Sequence, residues 1–259
     1  MSRGTIQLLL LTCLASGALW AANELFVGEW KVDPSKSKLT DQMKVESVAD
    51  HKYAFDFGGG SSEVIVPDGT DQPGIAGTTL SVKIEGPDAW KVVRKQGDRT
   101  LITANWKLSE DGKTLTDDFT QLGPNGSSNT VKYVYNRVAG KSGFSGTWES
   151  TSATLNSVYS IKVQPYEGDG LSFISSSQGI TRNVTFDGKD HPMLGPNAPA
   201  GATSSGKRVN ERTLEITTKI NDKVAATQED TLSSDGKDLT VTIHAAGRTT
   251  PNILVFERQ

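Results

Sequence analysis

Three histidines, His51, His191 and His244, and one cysteine, Cys13, are the chain's whole stock of imidazoles and thiols. A zinc centre takes three or four His, Cys or carboxylate ligands at recognisable spacing. No His-x-His or His-Glu-x-x-His occurs. His51 follows Asp50 in a turn, His191 lies in the Asp190-His191-Pro192 loop, and His244 stands near a strand end, so all three read as surface residues. A serine nucleophile needs a strained elbow between strand and helix, and none is present. Gly58-Gly59-Gly60 precedes Ser61-Ser62 without a helix to cradle phosphate, which leaves a turn. Carboxylates remain. Asp68/Asp71 and Asp187/Asp190 offer loop oxygens of the kind calcium uses, but Asp before Gly is first of all turn chemistry. Glu29, Asp117, Asp118 and Asp230 are the candidates for acid–base work if the chain is a catalyst. The expectation is a protein that is not an enzyme, with no catalytic residue, no metal and no cofactor.

The elements that must position these residues are strands. Short β-branched and aromatic runs broken by Gly, Asp, Asn and Pro recur, and helical periodicity is nearly absent. Nine strands are predicted near 26–32, 44–48, 53–57, 63–66, 79–85, 90–95, 100–108, 114–121 and 130–138. Nine more are predicted near 144–149, 158–163, 171–175, 181–186, 207–209, 213–220, 223–232, 238–244 and 253–258. The two sets are copies. Phe26-Val27-Gly28-Glu29-Trp30 returns as Phe144-Ser145-Gly146-Thr147-Trp148, and Asp68-Gly69 with Pro73 returns as Asp187-Gly188 with Pro192. Leu108-Ser109 with Asp111-Gly112-Lys113 returns as Leu232-Ser233 with Asp235-Gly236-Lys237, and Val134 with Arg137 returns as Val255 with Arg258. Four matches in one order at nearly one offset mark a duplication. Its units are 23–140 and 143–259, with Gly140-Lys141-Ser142-Gly143 as a junction too short to be a free linker.

Eight or nine hairpin-linked antiparallel strands need their edges hidden, and closure into an up-and-down barrel does this, with a sandwich as the competing arrangement. Gly28-x-Trp30 with Arg137, repeated as Gly146-x-Trp148 with Arg258, resembles the lipocalin and wider calycin pattern. There the Trp of the first strand plugs the closed end and a cation from the last strand lies across it. The resemblance implies two tandem all-β barrels of about eight strands each, in which these six residues are structural. It departs from the family in lacking a clear second motif (Thr116-Asp117-Asp118-Phe119 is a poor likeness) and any disulfide. The run from Trp30 to Ser37 also looks like exported bacterial proteins with this repeat.

Residues 1–22, with Arg3 ahead of Leu8-Leu9-Leu10-Leu11 and with Ala21-Ala22 at the end, read as a signal peptide. The expected location is therefore periplasmic or secreted, with no membrane span once the signal is removed. A formal net charge of −3 and the lack of a basic run argue against nucleic acid. The densest basic stretch, Lys91, Arg94, Lys95 and Arg99, reads as a solvated strand face.

Alternation places Ile102, Ala104 and Trp106 on one face of a strand and Gln228 and Asp230 on the matching face of its copy. If that face points inward, the first lumen is apolar and aromatic and the second polar. If outward, the contrast marks the contact between the barrels. Tyr133 and Tyr135, against Leu254 and Phe256, are further lumen candidates. The long loops after Pro73 and Pro192 are the candidate lids. The expected function is an exported binding protein for a small, predominantly hydrophobic molecule. A non-catalytic envelope or protein-interaction module with filled barrels is the alternative, and a calycin-shaped isomerase or hydratase ranks below both.

Overall fold

The computed structural model describes residues 23–58 and 61–259, of Lys141 the backbone only; the expected signal peptide, with Cys13, lies outside the described residues. The strands are β1 (Gly28–Val32), β2 (Gln42–Ala49), β3 (Lys52–Asp56), β4 (Ser62–Ile65), β5 (Gln72–Pro73), β6 (Thr79–Gly86), β7 (Ala89–Gln96), β8 (Arg99–Leu108), β9 (Thr114–Leu122) and β10 (Ser128–Ser142). They continue as β11 (Ser145–Leu155), β12 (Ser160–Tyr166), β13 (Gly170–Ser175), β14 (Ile180–Val184), β15 (His191–Pro192), β16 (Ala202–Asn210), β17 (Thr213–Ile220), β18 (Lys223–Leu232), β19 (Asp238–Ala245) and β20 (Asn252–Arg258). All ladders are antiparallel and form two nearly closed ten-stranded barrels in tandem.

Ten strands replace the expected eight, partly because the loop segments Gln72–Pro73 and His191–Pro192 each add a two-residue strand. A proline cannot donate to a ladder, and each short strand pairs on one side only. On the open side, Leu194 and Thr181 exchange backbone hydrogen bonds of 2.9 and 2.7 Å in the second barrel. In the first, the Gln72 side chain does the same work, accepting from Val66 N (2.9 Å) and donating to Val66 O (2.7 Å).

The barrels exchange their first strands. β11 lies between β10 and β2, and β1 lies between β12 and β20. The expected units 23–140 and 143–259 thus each give up a strand to the other, and one sheet is continuous from 42 to 155. The cause is local. Residues 140–143, expected as a junction, belong to a hairpin in which Ser142 opposes Ser145, so β11 folds straight back on β10. Gly140 sits at φ 94°, and a Cβ there would meet Gly146 Cα at 2.6 Å, so the close return needs glycine.

The closure pairs are consequently crossed relative to expectation. Arg258, not Arg137, stacks on Trp30 at 4.1 Å, and Arg137 stacks on Trp148 at 4.2 Å. Each indole N–H donates to a carbonyl four residues back, Phe26 O at 2.8 Å and Phe144 O at 3.0 Å. The glycine of each Gly-x-Trp leaves room for the guanidinium, since a Cβ on Gly28 or Gly146 would stand 2.9 Å from an arginine nitrogen. Both tryptophans are fully buried, and two separate apolar cores follow the exchange, one holding Trp148 and Phe144, the other Trp30 and Phe26.

Contacts between the barrels run along the ends opposite these plugs. Ser127 Oγ donates to Ser177 O (3.0 Å), Asn197 Nδ2 to Leu122 O (2.9 Å), and Arg99 to Pro196 O. The two barrels therefore meet mouth to mouth.

Candidate functional site

Strand alternation builds the lumen of the first barrel. On β8, Ala104 and Trp106 are buried while Asn105 and Lys107 are exposed, so the face bearing Ile102, Ala104 and Trp106 points inward. These three, with Met43, Phe57, Leu80, Phe119, Tyr133 and Tyr135, line a cavity of about 380 Å³, within the range of small-molecule sites. Trp90, Phe144 and Trp148 fill the barrel towards the closed end, with Phe144 stacked on Trp90 at 4.2 Å between centroids.

Few polar groups enter this wall, and they differ in how they are satisfied. Arg94 and Glu63 form a two-pronged ion pair, 2.9 and 2.6 Å, with Glu63 5 % exposed. Arg94 alternates in phase with Trp90 and Val92, so it faces inward and not, as its basic neighbourhood suggested, the solvent. Glu63 Oε1 also accepts from Ile75 N at 2.8 Å, which ties the loop after Pro73 to the lumen wall. At the mouth, Asp41 accepts from the Tyr135 hydroxyl (2.7 Å) and pairs with Arg248 (2.6 Å). Arg248 comes from the β19–β20 loop of the second barrel and also donates to Phe57 O at 2.8 Å. Asp41 and Arg248 line both this lumen and an open polar cleft of about 450 Å³, so their pair stands between the two spaces.

Asp117 is different. On β9 it lies directly opposite Trp106 on β8 and Tyr133 on β10, in a row across the wall. It is 5 % exposed, and neither its Oδ1 nor Trp106 Nε1 has a hydrogen-bond partner. Burial lifts its pKa to about 8; the facing Trp106 N–H opposes the rise, and Asp41 and Asp118 push it further up. Burial likewise raises Asp41, against the pull of Arg248, and raises the Tyr133 and Tyr135 phenols.

The second lumen carries polar groups where the first carries rings. Gln228 and Asp230 point inward and are buried. Arg182 donates to Gln228 Oε1 (2.7 Å) and Gln228 donates to Asp230 Oδ1 (2.6 Å). Burial raises Asp230 to about 6, against the stabilising effect of Gln228 and Arg182. Asp230 occupies the place of Trp106, and its cross-strand partner Val241 the place of Asp117. Phe256 is buried in this core and Leu254 packs against it, partly exposed.

The predicted lumen residues therefore divide between two interiors, with Ile102, Ala104, Trp106, Tyr133 and Tyr135 around the first cavity. Of the acid–base candidates, Asp117 and Asp230 are interior, while Glu29 and Asp118 are exposed. His51 and His244 are exposed, and His191 shares a 2.8 Å hydrogen bond with Thr185. Sequence reasoning missed Asp41, Glu63, Arg94 and Arg248 as site residues. Alternation on β4 and β7 carries a signal for Glu63 and Arg94; nothing local marks Asp41 or Arg248. Among the described residues no group of three or more His, Cys, Asp or Glu is placed to hold a metal ion, and no helix is long and apolar enough to cross a membrane. No protein-family model, curated protein or solved structure matches the chain.

Proposed function

We propose that the chain is an exported, lipocalin-like protein of bacterial type that carries a small, predominantly hydrophobic molecule in its first barrel. The observation that carries this reading is the cavity of about 380 Å³, walled by aromatic and aliphatic side chains with a few placed polar groups. The second barrel, with its interior crossed by the Arg182–Gln228–Asp230 chain, serves in this reading to cover the mouth of the first through Arg248. Native mass spectrometry of protein purified from its host, and again after exposure to lipids and pigments, tests it. One retained ligand per chain is expected, lost in Ile102→Trp, which fills the lumen. An empty protein that takes up nothing would overturn it.

Asp117 favours a second reading. A buried carboxyl with a pKa near 8 inside a cavity is suited to acid–base work, as an isomerase or hydratase acting on the bound molecule requires. Turnover of the retained ligand, abolished by Asp117→Asn, would establish it over simple carriage.

A further inference from the structure

We propose that the ligand of the first barrel is an organic amine with an aromatic or apolar body, its ammonium seated against Asp117 between Trp106 and Tyr133. This deepens the carrier reading and rests on it. The charged groups around the cavity are otherwise matched: Arg94 with Glu63, and Arg248 with Asp41, which also holds the Tyr135 hydroxyl. Asp117 is left as the carboxyl of the cavity wall without a matching cation, and the sign it can take is negative.

The two orphaned atoms specify the rest. Asp117 Oδ1 and Trp106 Nε1 are both buried and both without a hydrogen-bond partner from the protein, which costs free energy unless something in the cavity answers them. An apolar ligand leaves both unsatisfied. A carbonyl ligand accepts from the Trp106 N–H and from the O–H of neutral Asp117, but makes no use of the aromatic rings around the pair. An ammonium donates to ionised Asp117, which then accepts from the indole N–H as well. Trp106 and Tyr133 stand directly across from Asp117 on either side, and Phe119 lines the same cavity, so aromatic rings surround the place the cation would take. Asp117 holds its proton near neutral pH in the empty lumen, and seating an ammonium expels that proton to solvent.

Isothermal titration of the full chain at pH 7 with phenethylamine, phenethyl alcohol and benzylacetone, in two buffers of different ionisation enthalpy, tests this. The amine is expected to bind about tenfold or more tighter than the alcohol, to release close to one proton, and to fall to the alcohol's affinity in Asp117→Asn. If the alcohol or the ketone binds as tightly as the amine, or if Asp117→Asn leaves the amine unaffected, the amine assignment fails and the carrier reading stands. If the amine alone fails to bind a protein that retains a neutral native ligand, the same conclusion follows. If no probe binds and the purified protein is empty, both fall together.

Discussion

Replacing Asp117 by Asn should stabilise the protein at neutral pH and do so in a pH-dependent way. The unfolded carboxyl titrates near 3.8 and the folded one near 8. The sign follows directly. Below about pH 3.8 both states are protonated and the side chain costs nothing. As pH rises, the unfolded chain ionises while the folded one holds its proton, so stability drains away until the folded group itself titrates near 8. At pH 7 about three pH units have been crossed, each worth ~1.36 kcal/mol, a penalty of about 4 kcal/mol. Asparagine has nearly the same shape and no charge to bury, so it escapes this penalty. Urea unfolding of both proteins from pH 3.5 to 9, followed by tryptophan fluorescence and circular dichroism, reads the difference. The curves should meet near the acid end, diverge steadily through pH 7 and run parallel above pH 8; Asp230, buried in the other barrel, cancels in the comparison. Curves parallel from pH 4 to 8 would mean that Asp117 is ionised in the folded lumen, and the reasoning from burial would be refuted. A site residue that costs stability in the empty protein is what a binding function, unlike a filled core, would retain.

Arg248→Ala should destabilise by about 1–3 kcal/mol, since it leaves Asp41 partly buried without its cation; thermal unfolding measures the loss, and the double variant with Asp41→Asn should recover much of it. A double-mutant cycle on Trp30 and Arg258 should give a coupling of about 0.5–2 kcal/mol and one on Trp30 and Arg137 close to zero, whereas unexchanged barrels would reverse the two. The fragment 42–155 should fold alone with the near-ultraviolet dichroism of packed tryptophans, while 23–140 should not, because it lacks β11 and with it Trp148.

Much of the architecture was written locally. Most strands declare themselves by short β-branched and aromatic runs and many turns by Asp-Gly or Gly, so the order of the longer elements, and the grouping of Ile102, Ala104 and Trp106 on one face of β8 against Gln228 and Asp230 on β18, were legible; that this face points inward was decided by the fold. Residues in loops carry no such period. Arg248 is one polar residue in a turn, and Asp41 one in a crossing segment; each becomes part of the site only because the barrel mouths meet.

The amino-acid sequence by itself determined a duplicated all-β chain, two Gly-x-Trp strands, two arginines to cover them and one strand face that is aromatic in the first copy and polar in the second, because these depend on side-chain types at short spacing. It did not determine which arginine meets which tryptophan. The two copies present the same strand and the same cation, so pairing within a repeat and pairing across repeats satisfy identical chemistry. Only the tertiary structure decides between them, through the tight return of β11 on β10 past Gly140. That single hairpin exchanges the strands, and with the barrels held mouth to mouth the second one sets Arg248 over the lumen of the first.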